Sequence, residues 1–162
     1  MVLEIFNVLV STYGYFGVFL VSMIGSASIF LPLPSTFVVF FSAPFMDPFL
    51  LGLVGGLGAA VGELTGYVLG FGGKKIIEKR WKKDMKNAEK LFEKYDGFLI
   101  IALFAATPLP DDIVGLVGGS LGYPVKKFFL ATLIGKLILH WILAYGGFYS
   151  VGWVLDVFAS FS

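Results

Sequence analysis

The chain contains no cysteine and few charged residues. Only 14% of its 162 residues are charged and 57% are hydrophobic. A soluble domain has about 25% charged residues, so most of this surface is predicted to face lipid. The absence of cysteine excludes disulfides, thiolate metal sites and cysteine nucleophiles. The net charge of +1 gives no general reason to expect a nucleic-acid partner.

Basic residues are absent from residues 1–73, and nine of the twelve lie between Lys74 and Lys94. The positive-inside rule therefore predicts that segment 74–96 is cytoplasmic. Its apolar residues recur every three or four positions, which predicts an amphipathic helix lying along the headgroups. A nucleic-acid role is disfavoured, because acidic residues interrupt the basic face of that helix. Topology anchoring is favoured over recognition of a specific lipid. No basic n-region opens the chain, so we expect no cleaved signal peptide.

The apolar runs fall into two length classes. A helix needs about 20 residues to span a hydrocarbon core of ~30 Å, which residues 49–71 and 128–147 satisfy. The runs 37–46 and 113–123 would form helices only about 15 Å and 17 Å long, and each follows a Pro-Leu-Pro sequence. We therefore predict that 16–46 and 98–123 are re-entrant hairpins, with proline-kinked full spans as the alternative. The broken segments are Pro32–Pro34 and Pro108–Pro110.

The two hairpins belong to an internal repeat. The Pro-Leu-Pro motifs are 76 residues apart, and each is followed 14 residues later by another proline. Each copy then runs into a long apolar helix that carries one glycine–ionisable pair, Gly62-Glu63 or Gly135-Lys136. One full span separates the copies, so the second hairpin should enter from the opposite face. Corresponding broken segments of this kind indicate transporter binding sites.

These features predict an all-α integral membrane protein with a single domain over residues 1–162. An N-terminal helix leads into repeat 1 (about 16–71), followed by the cytoplasmic amphipathic segment 74–96. Repeat 2 (about 98–147) and a C-terminal segment (148–162) complete the chain. Lys126 and Lys127 support the re-entrant arrangement, because a full crossing by 98–123 would place them outside.

Five ionisable residues fall at predicted membrane depth, where each charge costs about 2.5–3.5 kcal/mol. Glu63 and Lys136 occupy similar depths in the two repeats, so we expect them to pair, either as a structural ion pair or within a substrate or proton site. His140 is the only histidine, for which a structural role is favoured over a proton relay. The predicted substrate or proton path comprises Glu63, Tyr67, Asp111, Asp112, Lys136 and His140.

Small and polar residues have local roles in this scheme. We expect one residue of Ser35-Thr36 and one of Asp111-Asp112 to cap the half-helix that follows each pair. The second aspartate is then left to bind a cation or proton. No residues have metal-ligand spacing, no enzyme constellation is evident, and no cofactor is predicted. Glycines that should let helices approach closely are Gly58, Gly62, Gly66 and Gly70 on one helix, with Gly115, Gly118, Gly119 and Gly122 in the second hairpin.

Several of these motifs together resemble the DedA family, the VTT-domain (SNARE-associated) superfamily, and in particular its short YqaA-like branch. The resemblance covers about residues 15–150, and its most specific part is the G-x-x-x-G-E/D-x-x-G-Y-x-x-G run that places Glu63 at the family's acidic position. It implies opposed re-entrant hairpins and a place among lipid scramblases, polyprenyl-phosphate flippases and proton-dependent exporters. The matching segments are Leu31–Ser35, Gly58–Gly70, Thr107–Asp111, Gly118-Gly119 and Phe128–Trp141.

The chain departs from that family at two places. Many members have a glutamate after the first proline motif, where this chain has Ser35-Thr36. Many also carry arginines around the second proline motif, where this chain has Thr107 and Asp111-Asp112. Those arginines are the natural partners of a phosphate, so the departures weigh against a carrier-phosphate substrate.

Three functions follow in order of preference. The first is translocation of phospholipid or polyprenyl-phosphate lipid between leaflets of the plasma membrane. The second is proton-coupled export of a small solute or cation, and the third is a membrane scaffold without transport. The expected partners are membrane lipids, with protons or a small solute under the second hypothesis. Oligomerisation is left open.

Overall fold

The computed structural model describes the backbone of residues 2–27, 35–73, 90–92, 94–107 and 112–159, and side chains in 12–27, 36–73, 90–92, 94–107, 114–150 and 153. Within those ranges the chain is helical and contains no strand, which confirms the all-α prediction. The helices are α1 (Val2–Ala27), α2 (Ser35–Ser42), α3 (Pro48–Gly72), α4 (Gly97–Ala105), α5 (Asp112–Ser120) and α6 (Val125–Ala159), and a 3-10 turn (Ala43–Phe45) follows α2.

α3 and α6 form the centre of the molecule. Within the described residues, they are the two helices long and apolar enough to cross a bilayer, over Pro48–Gly72 and Val125–Ser150. They run antiparallel, because Phe49 near the start of α3 lies beside Trp141, whereas Tyr67 near its end lies beside Phe128. The Trp141 indole N–H also donates to the Phe49 carbonyl at 3.1 Å.

Hairpin 1 consists of the second part of α1 and all of α2. Gly14 interrupts α1 with a φ of 54°, a left-handed conformation that glycine adopts without strain from a Cβ, and the arm 15–27 follows this kink. The Asp47 N–H, just beyond α2, donates to the Tyr15 hydroxyl at 2.9 Å. Val18 belongs to the same buried cluster as Val39. The arm and α2 are therefore antiparallel, and their outer ends lie together.

Hairpin 2 consists of α4 and α5. Gly97, the first residue of α4, is in contact with the ring of Tyr123, just beyond the end of α5. α5 ends in a Schellman motif, because the Tyr123 N–H donates to the Gly118 carbonyl at 2.9 Å and Gly122 has a φ of 67°. The outer ends of these two helices also lie together.

The two hairpins open at opposite ends of the α3–α6 pair. Hairpin 1 opens where α3 begins, at the Asp47 cap whose carboxylate accepts from the Leu50 N–H at 2.9 Å. Hairpin 2 opens where α6 begins, at Val125, and α3 and α6 are antiparallel. The packing is reciprocal, since α1 and α4 pack on the long helices that follow them, whereas α2 and α5 pack mainly on the other long helix.

The helix boundaries differ from the predictions at the C-terminus. α6 continues through Ala159, so the segment predicted to be separate at 148–162 begins as part of that helix. No proline follows residue 147 to stop it, and Gly147 packs closely on the Phe40 carbonyl of α2. The proline motifs and most of the amphipathic segment 74–96 lie outside the described residues.

Candidate functional site

A buried ion pair joins α3 to α6 near the middle of their apolar spans, Pro48–Gly72 and Val125–Ser150. Lys136 Nζ lies 2.9 Å from Glu63 Oε1. Glu63 is 2% exposed and Lys136 is 6% exposed. A charge inside a helical membrane protein needs such a partner, because each ion alone loses its hydration. The structure thus brings together the two ionisable residues that the repeat placed at similar depths.

The glycine that precedes each charged residue explains why the pair forms. Gly62 packs on the Met23 carbonyl of α1, and Gly135 packs on the Ala102 carbonyl of α4. Successive helical residues point about 100° apart. A long helix whose glycine faces the neighbouring arm therefore turns the next side chain towards the other long helix.

A small cavity lies beside Glu63, between hairpin 2 and the long helices. Its volume is about 10 Å³, close to the space that one water molecule needs. Two polar side chains, Glu63 and Thr132, contribute to its wall, and Thr132 is one helical turn before Lys136. The cavity therefore leaves a space of about the size of one water molecule beside the Glu63 side chain. The other lining residues are Ile101, Ala105, Val114, Gly115 and Phe128.

His140 lies one turn beyond Lys136 and is 1% exposed. Its Nδ1 is 2.8 Å from the Lys136 carbonyl oxygen. Because a carbonyl only accepts, Nδ1 carries the proton in this arrangement, and Nε2 of the neutral ring is an acceptor. This acceptor and the hydroxyl of Ser22 are both close to Gly55.

Tyr67 joins α3 to the end of hairpin 2. Its hydroxyl donates to the Tyr123 carbonyl at 2.6 Å, and its ring lies 5.0 Å from the Phe128 ring. Burial and, to a smaller extent, the Asp96 carboxylate raise the pKa of the Tyr123 phenol, so that phenol is protonated at neutral pH. These contacts give Tyr67 a structural role next to the cavity wall, where Phe128 also lies.

The remaining predicted residues divide into packing residues and residues not described. Gly58 and Gly62 contact α1, whereas Gly70 contacts the Leu116 carbonyl of α5. Asp112 is the first residue of α5, but its side chain lies outside the described residues. The same applies to Asp111 and to the four prolines Pro32, Pro34, Pro108 and Pro110.

Sequence reasoning missed three buried hydroxyls, those of Ser22, Ser120 and Thr132. The spacing of Thr132 from Lys136, one helical turn, was a usable signal. Ser22 lies in an arm without charged residues and gives no such signal. In the part of the chain that the structure describes, no group of three or more histidine, cysteine, aspartate or glutamate side chains is placed to hold a metal ion.

Two long apolar helices with a charge pair buried between them, and further apolar helices packed on them, are typical of a helical membrane protein. The VTT domain matches residues 33–149, so the chain belongs to the VTT-domain family, also called the DedA family, as its motifs predicted. An uncharacterized protein of Methanocaldococcus jannaschii is 28% identical over 135 residues, covering 82% of each chain. No solved structure matches.

Proposed function

We propose that this protein moves lipids between the leaflets of the plasma membrane, with residues 74–96 on the cytoplasmic face. The observation that carries the proposal is the Glu63–Lys136 pair, which is buried near the middle of the two long apolar spans and whose Glu63 borders a small cavity. A polar headgroup crossing a bilayer needs charged partners at that depth, because hydrocarbon offers none.

The proposal includes re-entrant hairpins that form an inverted repeat. The arms of both hairpins are roughly 12–20 Å long at 1.5 Å per residue, against a hydrocarbon core of ~30 Å. Large apolar side chains on the outside of these arms, such as Phe41 at 66% and Leu103 at 59% exposure, suit contact with acyl chains. Two hairpins that enter from opposite faces would leave only a thin barrier around the ion pair.

The charge pair offers a headgroup two complementary contacts. The Lys136 ammonium suits a phosphate, and the Glu63 carboxylate suits an amine. A lipid that carries both groups could replace each half of the pair as the two side chains separate, so neither buried charge is left alone. The acyl tails remain in the surrounding lipid while the headgroup passes.

Reconstitution into liposomes tests this function. Vesicles contain a fluorescent phospholipid and receive an outer-leaflet quencher; we expect the protein to increase quenching beyond that of empty vesicles, and Lys136→Ala to reduce the increase. Lys126→Ala is the matched control, since Lys126 is exposed on the same helix. Quenching equal to that of empty vesicles would contradict lipid translocation.

Proton-coupled export of a small solute is the second candidate, favoured by the Glu63 carboxylate that lines the cavity. Under this mechanism, Glu63→Gln abolishes the pH dependence of solute flux, because glutamine carries no exchangeable acid proton. A pH profile identical to that of the parent protein counts against it. A scaffold without transport predicts that folded variants at either position keep full biological activity.

A further inference from the structure

A second group of buried polar atoms lies on the hairpin 1 side of the α3–α6 pair. A Cβ built on Gly55 would be 2.9 Å from His140 Cδ2 and 3.6 Å from Ser22 Oγ. Among the described residues, neither Ser22 Oγ nor His140 Nε2 has a hydrogen-bond partner. Ser22 is 0% exposed and His140 is 1% exposed, so bulk solvent does not satisfy them.

The two atoms are chemically complementary. His140 Nε2 accepts a hydrogen bond, because Nδ1 is committed as donor to the Lys136 carbonyl at 2.8 Å. The Ser22 hydroxyl can donate and accept. Leaving such groups unpaired in a protein interior costs the desolvation free energy of each group, and a molecule bonded to both offsets that cost. Buried water commonly fills this role.

This second group occupies the place in hairpin 1 that the Glu63 cavity occupies in hairpin 2. Val39, which packs on Gly55, is 76 residues before Gly115, which lines the cavity. Gly55 is itself 73 residues before Phe128, the same separation as between Gly62 and Gly135. Where the cavity has the phenylalanine ring, the second group has a glycine, which leaves room for the imidazole.

We infer that Ser22 and His140 form a second polar site that binds one water molecule. The water donates one hydrogen bond to His140 Nε2 and accepts another from the Ser22 hydroxyl. A cation is disfavoured there, because Lys136 lies one turn away on the same helix. The site goes beyond lipid translocation and holds whether or not the chain moves lipid. His140 is bonded to the carbonyl of Lys136, whose side chain pairs with Glu63 beside hairpin 2. The second site therefore continues the buried polar groups from hairpin 2 to hairpin 1.

The single histidine makes the test selective. The full chain is labelled with ¹⁵N-histidine, placed in lipid bilayers and studied by nuclear magnetic resonance, so every imidazole signal belongs to His140. We expect the Nδ1-protonated ring, an Nε2 signal of a hydrogen-bonded acceptor, and magnetisation transfer from water to the ring. Ser22→Ala should shift the Nε2 signal, and Gly55→Ala should remove the transfer, because the new methyl occupies the space.

Ser120→Ala is the matched control. The Ser120 hydroxyl is also buried, but it donates to the Leu116 carbonyl at 2.6 Å, so its loss should leave the His140 spectrum unchanged. An Nε2 signal without a hydrogen bond, or one that Ser22→Ala does not shift, overturns the inference. If Gly55→Ala does not fold, the Ser22→Ala shift together with the transfer from water to the ring in the parent protein tests the inference, and absence of that transfer overturns it. Lipid movement is not measured, so failure here is distinct from failure of the proposed function.

Discussion

At the scale of single residues, the charge pair shows why one partner cannot be removed cheaply. Glu63 and Lys136 both lie in an apolar interior. There, each charge is stabilised by the other instead of by water. Deleting one partner of a buried pair leaves an uncompensated charge, whereas replacing both with neutral groups of similar size is often tolerated. Stability and transport can therefore be separated experimentally.

We predict that Lys136→Met lowers the free energy of unfolding by about 3–5 kcal/mol, because the Glu63 carboxylate is left buried alone. The double variant Glu63→Gln/Lys136→Met should recover most of this loss and still lack lipid movement. Denaturant unfolding of the detergent-solubilised protein measures the first effect, and the liposome assay measures the second. A double variant as active as the parent would show that the pair is only structural.

Much of this site could be predicted from the sequence, and the part that could not depends on packing. Glu63 and Lys136 are charges inside apolar runs at matching places of a repeat, so their pairing follows from the cost of burying either alone. The proximity of Ser22 to His140 depends on the missing side chain of Gly55 and on which face of α1 meets α3. Neither feature can be predicted from the spacing of residues within a single apolar run.

At the scale of helices, glycine contacts hold hairpin 2 against the long helix α3. Gly70 packs on the Leu116 carbonyl, and Gly119 packs on the Tyr67 carbonyl. Small residues allow such backbone contact between helices in lipid, where no hydrophobic effect drives them together. A methyl group at either position would push the two backbones apart.

We predict that Gly70→Ala destabilises the protein by about 1–3 kcal/mol, the usual range for overpacking a filled interior. Gly72→Ala is the control on the same helix, because a Cβ there has no neighbour within 4 Å among the described residues. Thermal unfolding in detergent provides the comparison. Equal midpoints for the two variants would mean that the α3–α5 contact is loose.

A second prediction at this scale concerns the bond that ties α3 to the end of hairpin 2. Tyr67→Phe removes the 2.6 Å bond to the Tyr123 carbonyl, which should cost about 0.5–1.5 kcal/mol of stability. Tyr149→Phe, at an exposed position of α6, should change the unfolding midpoint little. If both substitutions have the same effect, the bond contributes nothing measurable.

The lengths and starts of the helices followed well from hydropathy and proline positions, because both signals are local. The half-length run 37–46 corresponds to α2 and its 3-10 turn, and the run 113–123 corresponds to α5. The long unbroken course of α6 did not follow, because the apolar run was expected to end at residue 147 and residues 148–162 to form a separate segment. Contact between Gly147 and α2 keeps that part of the helix packed.

At the scale of the whole molecule, the absence of cysteine makes the proposed topology directly testable. Single cysteines are introduced at Thr12, near the opening of hairpin 1, and at Lys126, near the opening of hairpin 2; both positions are exposed. We expect a membrane-impermeant maleimide to label Thr12→Cys in intact cells, and Lys126→Cys only after the cytoplasmic face is made accessible.

Leu103→Cys is the control for lipid exposure. Leu103 is exposed on α4, but at proposed membrane depth the reagent should not reach it from either side. Labelling of Thr12→Cys and Lys126→Cys from the same face would contradict oppositely directed hairpins.

The location of the charge pair has a mechanical consequence. Glu63 lies on α3 and Lys136 lies on α6. The arms of the hairpins carry no charged residue apart from Asp112 at the start of α5. The α3–α6 pair can therefore stay in place while either hairpin moves away from it, because that movement does not separate Glu63 from Lys136. Motion of this kind would cost mainly van der Waals contact, most of which surrounding lipid can replace.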